Sequence, residues 1–169
     1  GTGKSRACLE KLHMMCLINP GLAVLVVRKT MVSLTATGMV TFEKHVAFEA
    51  IQSGIMTWFG GSLRVPPAWQ YSNGSTLTVG GMDKPQKIMS GEFDVIYVQE
   101  ATELNITDWE FLTSRLRNGK CSFQQILADC NPAQPTHWLK QRCDAGTTVM
   151  LYSKHEDNPR MYDGTDWTS

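Results

Sequence analysis

The sequence predicts a three-layer α/β fold built on a mainly parallel sheet. Two valine-rich apolar runs, "GLAVLVVRKT" and "FDVIYVQE", have the length and pattern of strands buried on both faces. Helical periodicities alternate with them, and glycine, proline and asparagine mark the junctions. Alternating strands and helices return the chain to one sheet by right-handed crossovers, which makes the strands parallel.

The elements follow in order. From Ser5 to about Ile18, the residues Ala7, Cys8, Leu9, Leu12, Met15, Cys16 and Ile18 recur at helical spacing. Asn19-Pro20-Gly21 ends that helix, because proline cannot continue it and glycine suits the exit. After the first buried strand, a helix is predicted from about Leu34 to Gly54, with Phe42, Val46 and Ala50 on one stripe. "LRVPPAWQYSNGSTLTVGG" holds two alternating runs that meet at Asn73-Gly74, predicting a β-hairpin inserted before the second buried strand. Beyond that strand, Thr107-x-x-Glu110 predicts a capping box. Trp109, Leu112 and Leu116 predict its helix, and Asn118-Gly119 the helix end. "SFQQILADCNP" is a third strand running into a loop, "PTHWLKQRC" a short helix and "TTVMLYS" a fourth strand. The polar remainder is predicted as loop.

Composition narrows the function classes. A chain of 169 residues, 42% hydrophobic, suffices for one domain with a real core. Sixteen basic residues balance sixteen acidic ones, so no broad basic nucleic-acid surface is implied, although a local one stays open. The longest apolar run, Leu22 to Val27, is six residues, far short of the roughly 20 of a membrane span. Five cysteines form no C-x-x-C pair, and His137 has no zinc-like spacing to Cys130 or Cys143. They are expected to be reduced structural thiols.

The chemistry is expected at three places. Gly1-Thr2-Gly3-Lys4-Ser5 matches the last five positions of a phosphate loop, G-x-x-x-x-G-K-[ST], at the head of a helix. The first glycine and the preceding strand fall before residue 1. In such a loop Gly3 lets the backbone approach phosphates, Lys4 bridges the β and γ phosphates, and Ser5 offers its hydroxyl to Mg²⁺. The helix adds its positive dipole end. The competing reading is a Gly-Ser turn before an ordinary amphipathic helix. Glu100 stands at the C-terminal end of the second buried strand, where α/β sites form. Asp94, at the opposite end, is the weaker candidate. Asp129-Cys130-Asn131-Pro132 closes the third strand at the same edge, where a polar residue can sense a γ-phosphate. Taken alone, Asn-Pro is a common turn.

The set "GTGKS", "VVRKT", "VIYVQEATEL", "ADCNPAQPTHWL" and "HEDNP", in that order, closely resembles the ATPase domain of the large terminase subunit of tailed bacteriophages and prophages. The resemblance spans nearly the whole chain. It implies a P-loop NTPase of the additional-strand class that binds ATP and Mg²⁺ and drives double-stranded viral DNA into a procapsid. By position, Gly1, Thr2, Gly3, Lys4 and Ser5 correspond to the end of Walker A, and Glu100 to the catalytic glutamate of Walker B. Asp129, Cys130 and Asn131 correspond to the motif coupling hydrolysis to movement, and Arg28 falls in a motif near nucleotide. Gln99 stands where an aspartate is usual and is expected to meet the metal through water. Lys84, Lys87, Arg115 and Arg117 are the cations to consider for a residue reaching into a neighbouring subunit. The implied partners are the DNA, the portal protein, the small terminase subunit and further copies in a ring, with no membrane. The implied location is the host cytoplasm, docked transiently on the procapsid and not part of the mature virion. Residues 1–169 are expected to be a partial ATPase domain, lacking the start of the P-loop and the nuclease domain, and to hydrolyse ATP poorly alone. Another P-loop ATPase, of helicase or kinase type, and an inactive prophage remnant are the alternatives.

Overall fold

The computed structural model describes residues 3–131, 137–146 and 148–151. Six strands form one sheet: β1 Ala23–Arg28, β2 Met56–Phe59, β3 Ala68–Tyr71, β4 Thr76–Gly81, β5 Val95–Val98 and β6 Gln125–Ala128. Their order is β2-β3-β4-β1-β5-β6. β4, β1, β5 and β6 run parallel, and β2 and β3 complete the sheet antiparallel.

Side-chain alternation along the central strands decides the layers. Val24, Val26, Val95 and Tyr97 face one cluster, while Leu25, Val27, Ile96 and Val98 face the other. Helix α1 (Lys4–Ile18) covers the first with Leu9, Leu12 and Cys16, joined by Leu34, Phe42 and Ala50. Helices α4 (Ile106–Thr113) and α5 (Trp138–Asp144) cover the second with Trp109, Leu112 and Leu139. Burial of each such leucine or valine contributes about 1.5–3 kcal/mol. Both faces of the sheet are thus covered, as the valine-rich runs imply. Burial also raises the pKa of Cys8 to about 11 and of Cys16 to about 12, so both remain thiols.

Several elements differ from expectation. The chain is helical from Met31 to Gln52, but not uniformly so. α2 (Met31–Leu34) passes into two wide π-type turns, Thr35–Met39 and Phe42–Val46, before a break at Ala47 and α3 (Phe48–Gln52). The predicted hairpin forms, with Gly74 left-handed at φ 87°. It is built into the sheet, however, because β4 also pairs in parallel with β1. The reason is burial: five of the six β4 residues are buried, which suits a central position. At its end Gly80 and Gly81 make room for the segments packed over it, since a Cβ would lie 2.8 Å from Ile88 Cδ1 and 2.4 Å from Met31 N, respectively. At the turn, Asn73 Nδ2 donates to Cys16 O at 2.8 Å and so satisfies a carbonyl at the end of α1.

The capping box of α4 lies two residues earlier than predicted. Asn105 Oδ1 accepts from Asp108 N at 2.8 Å, and Asp108 Oδ2 accepts from Asn105 N at 3.2 Å. Packing selects this register, because Leu104 and Trp109 then bury together on either side of the cap. The helix ends at Thr113, since Phe93 O draws Arg117 N back to the sheet at 3.0 Å. Within the predicted fourth strand, residues 148–151 carry no strand, and the rest lies outside the described residues.

His13 reports on this core. It lies 2.8 Å from the Tyr71 hydroxyl, and burial lowers its pKa. The unfolded imidazole, ordinary value 6.5, therefore takes up a proton that the folded one resists. Its contribution is full above that value and is lost as pH falls below it. His13→Gln should flatten the acid side of the stability curve, as thermal melts at about pH 7.5 and 5.5, on either side of the ordinary histidine value, will show.

Candidate functional site

Three predicted segments meet at the C-terminal edge of the parallel strands. Gly3 sits ahead of α1 at φ 81°, and no atom would come within 4 Å of a Cβ added there. The 15-residue helix that follows has no side-chain cap and no acid in its first turn. Its leading N–H groups and positive dipole end therefore lack an internal acceptor, an arrangement suited to an anion.

Lys4 and Ser5 reach across the sheet edge to the end of β6. Lys4 Nζ donates to Cys130 O at 2.7 Å, and Ser5 Oγ to Asp129 Oδ2 at 2.6 Å. Asp129 is 6% exposed and is the hub of the site. Its Oδ2 also accepts from the Tyr97 hydroxyl at 2.5 Å, and its Oδ1 from Glu100 N at 2.9 Å. Burial, and then the charge of Asp129, push the Tyr97 pKa upward, so its hydroxyl stays a donor. Burial likewise raises the Cys130 thiol, against the pull of Lys4.

Glu100 holds a left-handed backbone, φ 52° and ψ 57°. It is the one non-glycine residue with positive φ among the described residues. Such a conformation costs on the order of 1–3 kcal/mol and persists only where neighbours hold it. Asp129 holds it twice, through its carboxylate on Glu100 N and its carbonyl, which accepts from Ala101 N at 2.9 Å. Among the described residues, no hydrogen bond or ion pair engages the Glu100 carboxylate. The left-handed turn leaves this acid at the strand end with its carboxylate unengaged among the described residues.

Around this hub the other candidates fall differently. Gln99 is buried, and its amide faces the wide turn after α2. Its Oε1 lies 3.4 Å from Thr37 Oγ1, and a Cβ on Gly38 would approach to 2.8 Å. The single Thr37 hydroxyl proton serves Ser33 O at 2.8 Å, so the Gln99 contact is mainly packing. Arg28 bridges Glu103 at 2.9 Å and Thr37 Oγ1 at 3.0 Å, bracing the end of β1 against the turn after Glu100. Asp94 is fully buried at the far end of β5. It accepts from Ala23 N, Asn118 Nδ2 and Lys120 N at 2.7–3.0 Å. Asn131 is exposed beyond β6. Gly1, Thr2, Pro132 and the "HEDNP" segment lie outside the described residues.

The family model described as phage terminase large subunit matches residues 1–166. The chain belongs to this family. Three solved terminase structures resemble it in fold. The large terminase of a thermophilic bacteriophage is 15% identical with a TM-score of 0.71, covering 97% of this chain and 43% of its own. The same phage protein in complex with ADP gives 15%, a TM-score of 0.70 and the same coverage. The large terminase ATPase domain of Thermus phage P74-26 is 15% identical with a TM-score of 0.57, covering 79% of this chain and 57% of its own. The terminase chain therefore spans less than half the length of the thermophilic phage protein. No curated sequence matches it.

Some terminase residues at the site carry no role in the motif reading. Tyr97 is one, since "VIYV" reads as a plain apolar strand and only its phenol tip hints at an acceptor. His137 and Trp138 are two more. His137 Nε2 lies 3.2 Å from Thr102 O, and Trp138 Nε1 donates to Leu104 O at 2.8 Å. Residues 137 and 138 are thereby fastened to the turn that follows Glu100. Trp69 and Tyr71 of β3 are core, and Trp58 of β2 lies against Trp69 with ring centroids 5.1 Å apart and planes tilted by 54°, 43% of its surface exposed. Lys84 is exposed, whereas Arg115 donates to Met89 O and Arg117 pairs with Glu92. No described helix is long and apolar enough to cross a membrane.

Proposed function

We propose that this chain is the ATP-hydrolysing motor portion of the terminase large subunit, which drives double-stranded viral DNA into the procapsid. One observation carries the reading. At an uncapped helix start, the fold draws Ser5 onto Asp129, which also fixes the strained Glu100, and Lys4 onto the adjoining Cys130 carbonyl. The structures of the thermophilic phage terminase in complex with ADP and with ATP-γ-S support a nucleotide here.

The residues fit ATP with Mg²⁺. Gly1 to Ser5 supply amides to the phosphates, and Lys4 exchanges the Cys130 carbonyl for phosphate oxygens. Mg²⁺ at the Ser5 hydroxyl would neutralise phosphate charge. Glu100 orients or deprotonates the attacking water, for which its unengaged carboxylate is suited. Arg28 steadies the loop behind it. Asp129, Cys130 and Asn131 join the phosphate loop to the segment held by His137 and Trp138, a route from hydrolysis to movement. The working assembly is a ring of copies on the portal, supplied with DNA by the small subunit in the host cytoplasm.

The test is a pair of titrations on the intact protein, wild type against variant. Lys4→Ala should weaken ATP binding about ten- to hundredfold, the loss of one charged hydrogen bond. Unchanged affinity would place the nucleotide elsewhere.

A further inference from the structure

We infer that Asp129, rather than Gln99, supplies the negative charge of the Mg²⁺ site, acting from the end of β6 on the Ser5 hydroxyl. The inference rests on the ATP-binding reading above. A hard divalent cation favours charged oxygen, and the residue that closes β5 here is a neutral amide. The carboxylate that meets the phosphate loop instead comes from the neighbouring strand, with Ser5 Oγ 2.6 Å from Asp129 Oδ2.

The chemistry of that contact is specific. A hydroxyl has one proton and two lone pairs. With its proton on Asp129, Ser5 keeps its lone pairs for a cation, and the carboxylate makes them more basic. Metal ligands are commonly supported in this way by an outer carboxylate. Asp129 is also buried and held in place, since three donors converge on it, from Ser5, Tyr97 and the Glu100 backbone. Gln99, by contrast, packs its amide against Gly38 and Thr37. Among the described residues no group of three or more His, Cys, Asp or Glu side chains can hold a cation. Phosphate oxygens and water are then left to complete the shell, and a single well-placed charge counts for more.

The geometry has a second consequence. The carboxylate that supports the metal ligand also fixes the Glu100 backbone, so the metal site and the water-activating acid share one anchor. A separate Walker B aspartate on β5 would join them only through its own strand.

The experiment uses the intact protein with Mn²⁺ in place of Mg²⁺, read by electron paramagnetic resonance, together with a fluorescent ATP analogue. Asp129→Asn keeps the shape and an acceptor for Glu100 N while removing the charge. It should weaken Mn²⁺ binding to the nucleotide complex about 10–100-fold. Analogue affinity in EDTA measures any general loss of nucleotide binding, which is subtracted, and Gln99→Leu should leave Mn²⁺ binding unchanged. Unaltered Mn²⁺ affinity in Asp129→Asn overturns the inference and leaves the ATP reading standing. Failure of the wild-type protein to bind the analogue overturns both. Should Asp129→Asn not fold, a tenfold loss in Gln99→Leu overturns the inference, as does unaltered Mn²⁺ affinity in Ser5→Ala, which removes the hydroxyl on which Asp129 acts.

Discussion

Glu100→Gln in the intact protein is expected to slow ATP turnover about 10²–10⁴-fold while leaving ATP affinity within about twofold. The backbone supports so clean a separation. Glu100 is held through its N–H and its left-handed conformation, neither of which involves the side-chain carboxylate. Glutamine has the same shape, so the Asp129 contacts survive. What disappears is the capacity to accept a proton from water, which matters in the transition state and hardly at all in binding. Single-turnover hydrolysis alongside equilibrium binding will separate the two. Near-normal turnover would remove Glu100 from the chemistry. Glu103 is then a poor substitute, because it is paired with Arg28 at 2.9 Å.

Asp94→Ala should be the most damaging of these changes for stability, by about 3–5 kcal/mol. Its carboxylate accepts from two backbone amides and the Asn118 side chain, at a position with no solvent exposure. Removing it strands the Ala23 and Lys120 N–H groups without an acceptor, which costs more than the lost bonds themselves. The melting temperature should fall by roughly 10 °C for a chain of this size. Chemical denaturation measures the loss directly. ATP affinity of the folded fraction should not change, since Asp94 lies at the opposite end of β5 from Glu100. Loss of turnover with intact stability would instead make Asp94 a catalytic acid.

The sequence by itself determined the layers and the three segments of the site. Short length, valine enrichment and flanking turn residues mark the two apolar runs as strands covered twice, and helical periodicity set α1 within a residue of its observed start. Glycine, lysine and serine before a helix, and an acid after a buried strand, carry their chemistry in local order. The sequence could not show what depends on partners far along the chain. The place of β4 beside β1 follows from its burial on both faces. The capping register of α4 was chosen by Leu104 and Trp109 packing, because two polar-x-x-acid quartets compete there on equal local terms. The first wide turn after α2 occurs where Gly38 lets the helix approach Gln99. Above all, only tertiary structure could bring Ser5 to a carboxylate 124 residues away and bind that same carboxylate to Tyr97 and Glu100. A buried charge requires several donors at once, and such donors are gathered by the folding of the sheet and not by the order of the chain.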